Sequence, residues 1–203
     1  MRTFLNFISY VFHPIFIPVM ATVGYFVITP RMYEFNFTVN VAITISIFTI
    51  FIPILTFVLL RRLRLIESIF VKNVDQRRIP LYLYVLLLFL IVTRIISESI
   101  FAELFDFFLA TLISAVICLV FVLARVKASM HMMGISGLVL FFTVLSITYQ
   151  LNITFGLSIL ILMIGIVGSS RLYLKAHTCT ELIIGFFIGA VPQVLVMYDY
   201  DWL

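Results

Sequence analysis

Two histidines, a glutamate and a set of cations are the residues of this chain equipped for chemistry. They fall in three polar clusters, at 72–80, 127–131 and 170–181, separated by long apolar runs. In the third cluster Ser170 and Arg171 are followed by His177, with Glu181 four residues further on. An i, i+4 pair lies on one face of a helix, so the Glu181 carboxylate is placed to accept a hydrogen bond from one ring nitrogen of His177. That bond fixes the tautomer and leaves the other nitrogen free, which makes His177 a candidate nucleophile. In the second cluster His131 stands two residues after Ser129 and is a candidate general acid, able to protonate a departing alkoxide. Lys72, Arg78, Lys127 and Arg171 exceed what the nearby acids neutralise, and several cations gathered at one depth near membrane spans point to an anion site. A phosphate would supply the missing charge.

The apolar runs must position these clusters. Of the 203 residues, 64% are hydrophobic and 11% charged, with a mean hydropathy of +1.26. That leaves too few polar side chains to cover a water-soluble exterior, and lipid must be the outer solvent. Helices are expected rather than barrel strands, because the runs are continuous and lack an alternating apolar and polar period. Cutting the chain where charges cluster gives seven spans, at about 11–29, 41–60, 80–96, 104–124, 132–150, 153–169 and 178–197. The stretch 94–107, interrupted by Arg94, Glu98, Glu103 and Asp106, reads either as a tight turn or as an interfacial amphipathic stretch, the latter lowering the count to six. The expectation is one all-α domain over 1–203, a bundle of six to seven transmembrane helices. The first segment, holding His13, Pro14 and Pro18 and no small-residue cleavage site, reads as a retained helix.

Alternating the spans puts all three clusters on one face, together with 11 of the 13 Lys and Arg residues. Setting aside Lys72, Arg78, Lys127 and Arg171, this face still holds more Lys and Arg than the other. By the positive-inside rule it is expected to be cytoplasmic, in a multi-pass protein of a bacterial-type inner or plasma membrane.

The motifs resemble those of the type 2 phosphatidic acid phosphatase superfamily, the lipid phosphatases related to vanadium haloperoxidases, whose three motifs are K-x6-R-P, P-S-G-H and S-R-x5-H-x3-D. The stretch from Ser170-Arg171 through His177 to Glu181 is similar to the third motif with Glu in place of Asp, and Gly185 and Gly189 follow as in many members. Ala128-Ser129-Met130-His131 resembles the second, keeping Ser and His. In the first, Lys72 and Pro80 keep the expected separation, while Ile79 occupies the arginine place and Arg78 lies one residue early. The resemblance implies that His177 attacks phosphorus to give a phosphohistidine, that Glu181 orients it, and that His131 protonates the leaving lipid alcohol. It implies that Lys72, Arg171 and Arg78, helped by Ser129, hold the phosphate oxygens, with Lys127 a further cation on physical grounds. The expected activity is hydrolysis of a lipid phosphate or pyrophosphate. A lipid phosphotransferase using the same residues, or a non-catalytic lipid-binding or transport protein, is the alternative. No cofactor or metal and no nucleic acid is expected; the partners are a phosphorylated lipid substrate and membrane lipids, with the oligomeric state left open.

Other polar residues have plainer readings. His13, followed by Pro14 and on the same face as the three clusters, reads as a residue that opens a helix, with a place in the lining of the same cavity as the alternative. Arg61, Arg62 and Arg64 read as a topology anchor or a lipid headgroup contact. Gly134, Gly137, Gly185 and Gly189 are expected to permit close helix packing. Tyr33, Tyr198, Tyr200 and Trp202 read as an aromatic belt, and Cys118 and Cys179 as packing residues.

Overall fold

The computed structural model describes residues 2–64 and 77–197. Lys72, Tyr198, Tyr200 and Trp202 lie outside the described residues. Within them the chain is helical, with α1 Arg2–Val11, α2 Ile17–Ile28, α3 Phe35–Arg62, α4 Arg78–Ile95, α5 Ala102–Leu123, α6 Met130–Thr148, α7 Thr154–Tyr173 and α8 Cys179–Val196. The six helices α3 to α8 are long and apolar enough to cross a membrane, and they overlap six of the seven expected spans, α3 beginning at Phe35 where the expected span began at 41. The 94–107 stretch is a short connection over 96–101 between two full spans.

The expected first span, 11–29, is corrected: it is broken. Pro14 lacks an N–H and disfavours helical geometry at His13, so α1 stops and the chain turns through His13 N→Tyr10 O and Phe16 N→His13 O bonds before α2 begins. At 12 residues α2 is only about 18 Å long, short of a 30 Å hydrocarbon core. It lies alongside α6, with Ile17 against Gly134 and Gly24 against the Phe142 ring. The α3 helix carries Pro53, and the turn just before it, Ile47–Phe51, widens to a π-helix that accommodates the missing donor.

The centre of the bundle is α6. In its most apolar stretch 61% of residues are buried, against 17% in α7, whose outer side is left for lipid. The α6 helix packs closely on α8. A Cβ at Gly185 would lie 2.4 Å from the Ser129 carbonyl oxygen, and one at Gly189 would lie 2.0 Å from that of Met133, so both positions require glycine. Ser136 Oγ donates across the same seam to the Phe186 carbonyl at 2.9 Å.

The end of the bundle remote from the histidines is closed around Glu103, whose side chain is 2% exposed in the first turn of α5. It accepts from Tyr25 Oη (3.1 Å) on α2, from Arg31 Nη2 (3.1 Å) and, closely, from Tyr149 at the end of α6. Removing one partner of a buried ionic network strands the others, which costs about 3–5 kcal/mol. Thermal or denaturant unfolding in detergent is expected to show a loss of that size for Glu103→Ala, and about 1 kcal/mol or less for Arg31→Ala, because that guanidinium is 43% exposed.

Candidate functional site

Two helix ends deliver the site. The α5 helix closes with Arg125 in the left-handed region (φ 61°), Val126 N donating to Phe121 O and Arg125 N to Val122 O. The α7 helix closes the same way through Lys175 (φ 51°), Ala176 N donating to Arg171 O and Lys175 N to Leu172 O. Both are Schellman closures made with a long cation where glycine is usual, and each turns the chain sharply toward its neighbour. Thr178 then caps α8, its Oγ1 accepting from Glu181 N at 3.3 Å, and Ser129 caps α6, its Oγ accepting from Met132 N at 3.4 Å. The two starts are joined by Ser129 N donating to Glu181 O at 3.0 Å.

At this junction His177 Nδ1 lies 2.6 Å from Glu181 Oε2. An ionised carboxylate only accepts, so Nδ1 carries the hydrogen and Nε2 keeps its lone pair. Lys127 Nζ lies 3.3 Å from the same carboxylate oxygen and donates to Ala176 O at 2.7 Å, tying the α5–α6 link to the α7–α8 link. Burial lowers the His177 pKa to about 4, against the opposing pull of the Glu181 hydrogen bond and with a further push from Lys127. The ring is therefore neutral at physiological pH.

His131, on the first turn of α6, faces the same space. Its Nε2 lies 3.2 Å from the Ser9 carbonyl, and its ring meets that of His13 edge to face with centroids 5.1 Å apart. Arg171, 5% exposed, donates to Ser9 Oγ, which also meets Ser170 Oγ at 2.6 Å. Among the described residues no carboxylate pairs with Arg171, and its Nε is buried without a partner. His13, His131, Arg171, Lys127 and His177 line one cavity of about 1100 Å³. On its other side the wall is apolar, built from Pro53, Ile54 and Phe57 of α3 and Leu81 and Leu83 of α4, and Arg61 and Arg62 also line it.

Two expected phosphate ligands sit elsewhere. Ser129 is fully buried as the α6 cap under Gly185 and does not line the cavity. Arg78 does not line it either; its neighbour Arg77 does, nearly buried and donating to Ala128 O at 3.4 Å. Arg77 and Ser9 are not among the expected site residues, and His13, expected first as a helix-entry residue, takes the alternative place in the cavity lining. The broken helix at Pro14 was the available signal, because it leaves the last carbonyls of α1 without intrahelical donors.

Comparisons with known proteins return no family model, no curated relative and no solved structure that matches the chain.

A neutral buried histidine links pH to stability. The unfolded chain takes up a proton near the usual 6.5, while folded His177 does so only near about 4, so stability is fully present above about 6.5 and falls as pH drops toward 4. Histidine-selective NMR is expected to show the His177 ring unprotonated at pH 6 with its proton on Nδ1. A midpoint near 6.5 would contradict this.

Proposed function

We propose that this chain is a membrane-embedded phosphatase that hydrolyses a lipid phosphate or diphosphate through a phosphohistidine intermediate. The observation that carries the proposal is Arg171, a buried guanidinium with no carboxylate partner among the described residues, in a cavity that also holds an oriented imidazole and a second histidine. A buried cation lacking its counter-ion is costly, and a bound phosphoryl group would supply the charge and the acceptor. The apolar wall between α3 and α4 favours a substrate whose alcohol is a lipid. Motif resemblance to the type 2 phosphatidic acid phosphatase superfamily assigns the same roles to His177, Glu181 and His131.

In this reading His177 Nε2 attacks phosphorus, an N–P bond forms, and the P–O bond to the lipid breaks. The departing alkoxide takes a proton from His131 and leaves as the alcohol. Water then attacks the phosphohistidine, yielding a proton to His131; the N–P bond breaks and inorganic phosphate leaves. Arg171 and Lys127, with Arg77 along the same wall, stabilise charge on the equatorial oxygens, and Lys72 remains a proposed contributor from the first motif. Hydrolysis requires no cofactor in this scheme. The positive-inside rule puts the site at the cytoplasmic face of a plasma-type membrane, so the substrate is a phosphorylated lipid presented from that side.

In purified protein, His177→Ala is expected to abolish phosphate release, and His131→Ala to lower kcat by about 10²–10⁴-fold on an alkyl phosphate. Vanadate, which mimics pentavalent phosphorus, should inhibit. Unchanged turnover in His177→Ala would reject the mechanism, and product appearing on an added alcohol in place of water would make the enzyme a phosphotransferase.

A further inference from the structure

Each histidine of a two-histidine mechanism needs something to hold it, and among the described residues a carboxylate does so for His177 and not for His131. We propose that the α1–α2 corner does this for His131: the Ser9 carbonyl fixes its tautomer and the His13 ring fixes its plane, making His13 a positioning residue for proton delivery to the leaving group. The inference rests on the phosphatase reading above and adds to it a segment that none of the three motifs contains.

The argument begins with Pro14. Because α1 cannot continue through it, the amide of His13 turns back to Tyr10 O instead of reaching Ser9 O, four residues earlier. Ser9 O is thus one of the carbonyls that a helix end leaves without an intrahelical donor. His131 Nε2 fills that place at 3.2 Å. A carbonyl only accepts, so Nε2 carries hydrogen, and in the neutral ring Nδ1 holds the lone pair. When the ring takes a second proton, Nε2–H stays on Ser9 O and the mobile proton sits on Nδ1. The atom that exchanges protons with the reaction is thereby chosen by the backbone of α1.

A single hydrogen bond leaves the imidazole free to rotate about it. His13 removes that freedom, its ring standing at 84° to that of His131 with centroids 5.1 Å apart. The His13 ring is itself fixed, since Nδ1 accepts from Ile15 N at 3.3 Å. Burial and the nearby Arg171 guanidinium lower its pKa to about 4, so it is uncharged and packs against His131 without competing for the mobile proton. The corner is anchored in turn, because Ser9 Oγ meets Ser170 and Arg171, and Ser170 Oγ donates to Leu5 O at 2.9 Å. The helix that carries Arg171 therefore also carries the docking point for the segment that orients His131.

The test separates proton delivery from general damage by varying the leaving group. Full-length protein in detergent micelles is assayed on dodecyl phosphate, whose alkoxide needs a proton, and on an alkyl-tailed 4-nitrophenyl phosphate, whose phenolate leaves without one. For His13→Ala the expected result is a fall in kcat of about 10²-fold on dodecyl phosphate, with little change on the aryl ester. His13→Phe, which keeps a flat ring against His131, should recover most of the alkyl rate. If His13→Ala does not accumulate, His13→Asn takes its place. Equal losses on both substrates, or no loss on the alkyl ester, would overturn the inference. Nitrogen NMR shifts supply a readout that does not depend on turnover. His131 is expected as the Nε2–H tautomer in the wild type and in His13→Ala alike, with its ring signals broadened by motion only in the variant; an Nδ1–H tautomer in the wild type, or unchanged line shapes in His13→Ala, also overturns it. Wild-type protein that hydrolyses neither ester while its His131 ring signals still respond to His13 would remove the phosphatase reading and leave the positioning intact.

Discussion

The close approach of α6 and α8 is the constraint on which the rest depends. At Gly185 and Gly189 one helix lies against the backbone of the other, with Ser129 and Met133 carbonyls where side chains would otherwise stand. In lipid no hydrophobic force drives two apolar helices together, so dispersion between backbones and a few hydrogen bonds must do it. The seam sets the register of the two helix starts. With Ser129 N bonded to Glu181 O, the link that carries Lys127 and the turn that carries His177 are held side by side, and His131 follows on the first turn of α6. Both helices point their N-termini at the cavity end, adding the positive ends of two dipoles to a region already rich in cations.

The two ends of the bundle handle buried charge in opposite ways. Around Glu103 two tyrosine hydroxyls and a guanidinium converge on one carboxylate, and the network is closed. Around Arg171 there is hydroxyl contact but no counter-ion among the described residues, and a cavity opens beside it. Burying a charge without an opposite one is expensive in a low-dielectric setting, and such arrangements mark places where a ligand completes the site. The contrast also shows how a short α2 is tolerated. Its far end is fastened by Tyr25 to Glu103 and its near end by Ile17 against Gly134, so polar and packing contacts hold a helix that its length alone would not anchor across the bilayer.

The site borrows its precision from unremarkable local rules. Two Schellman closures, two threonine or serine caps and one proline-terminated helix set the positions of Lys127, His177, His131 and Ser9. Arg125 and Lys175 occupy left-handed positions where glycine would be easier, and their charges sit beside helix C-termini that favour cations. The usual glycine stop signal is therefore missing from the sequence at these ends.

Six spans were legible in the sequence because twenty apolar residues in a row leave the backbone one way to satisfy itself in lipid. The His177–Glu181 pair was legible too, because a four-residue spacing is a local property of any helix. The break in the first apolar segment was written in Pro14 but outweighed by the hydrophobicity around it. What only the tertiary structure decided is which cations and carbonyls share a cavity: Arg77 and not Arg78, His13 as neighbour of His131, and Ser9 as its acceptor. Those choices depend on helix rotation and crossing, which side-chain packing sets across more than a hundred residues of chain, and no local spacing encodes them.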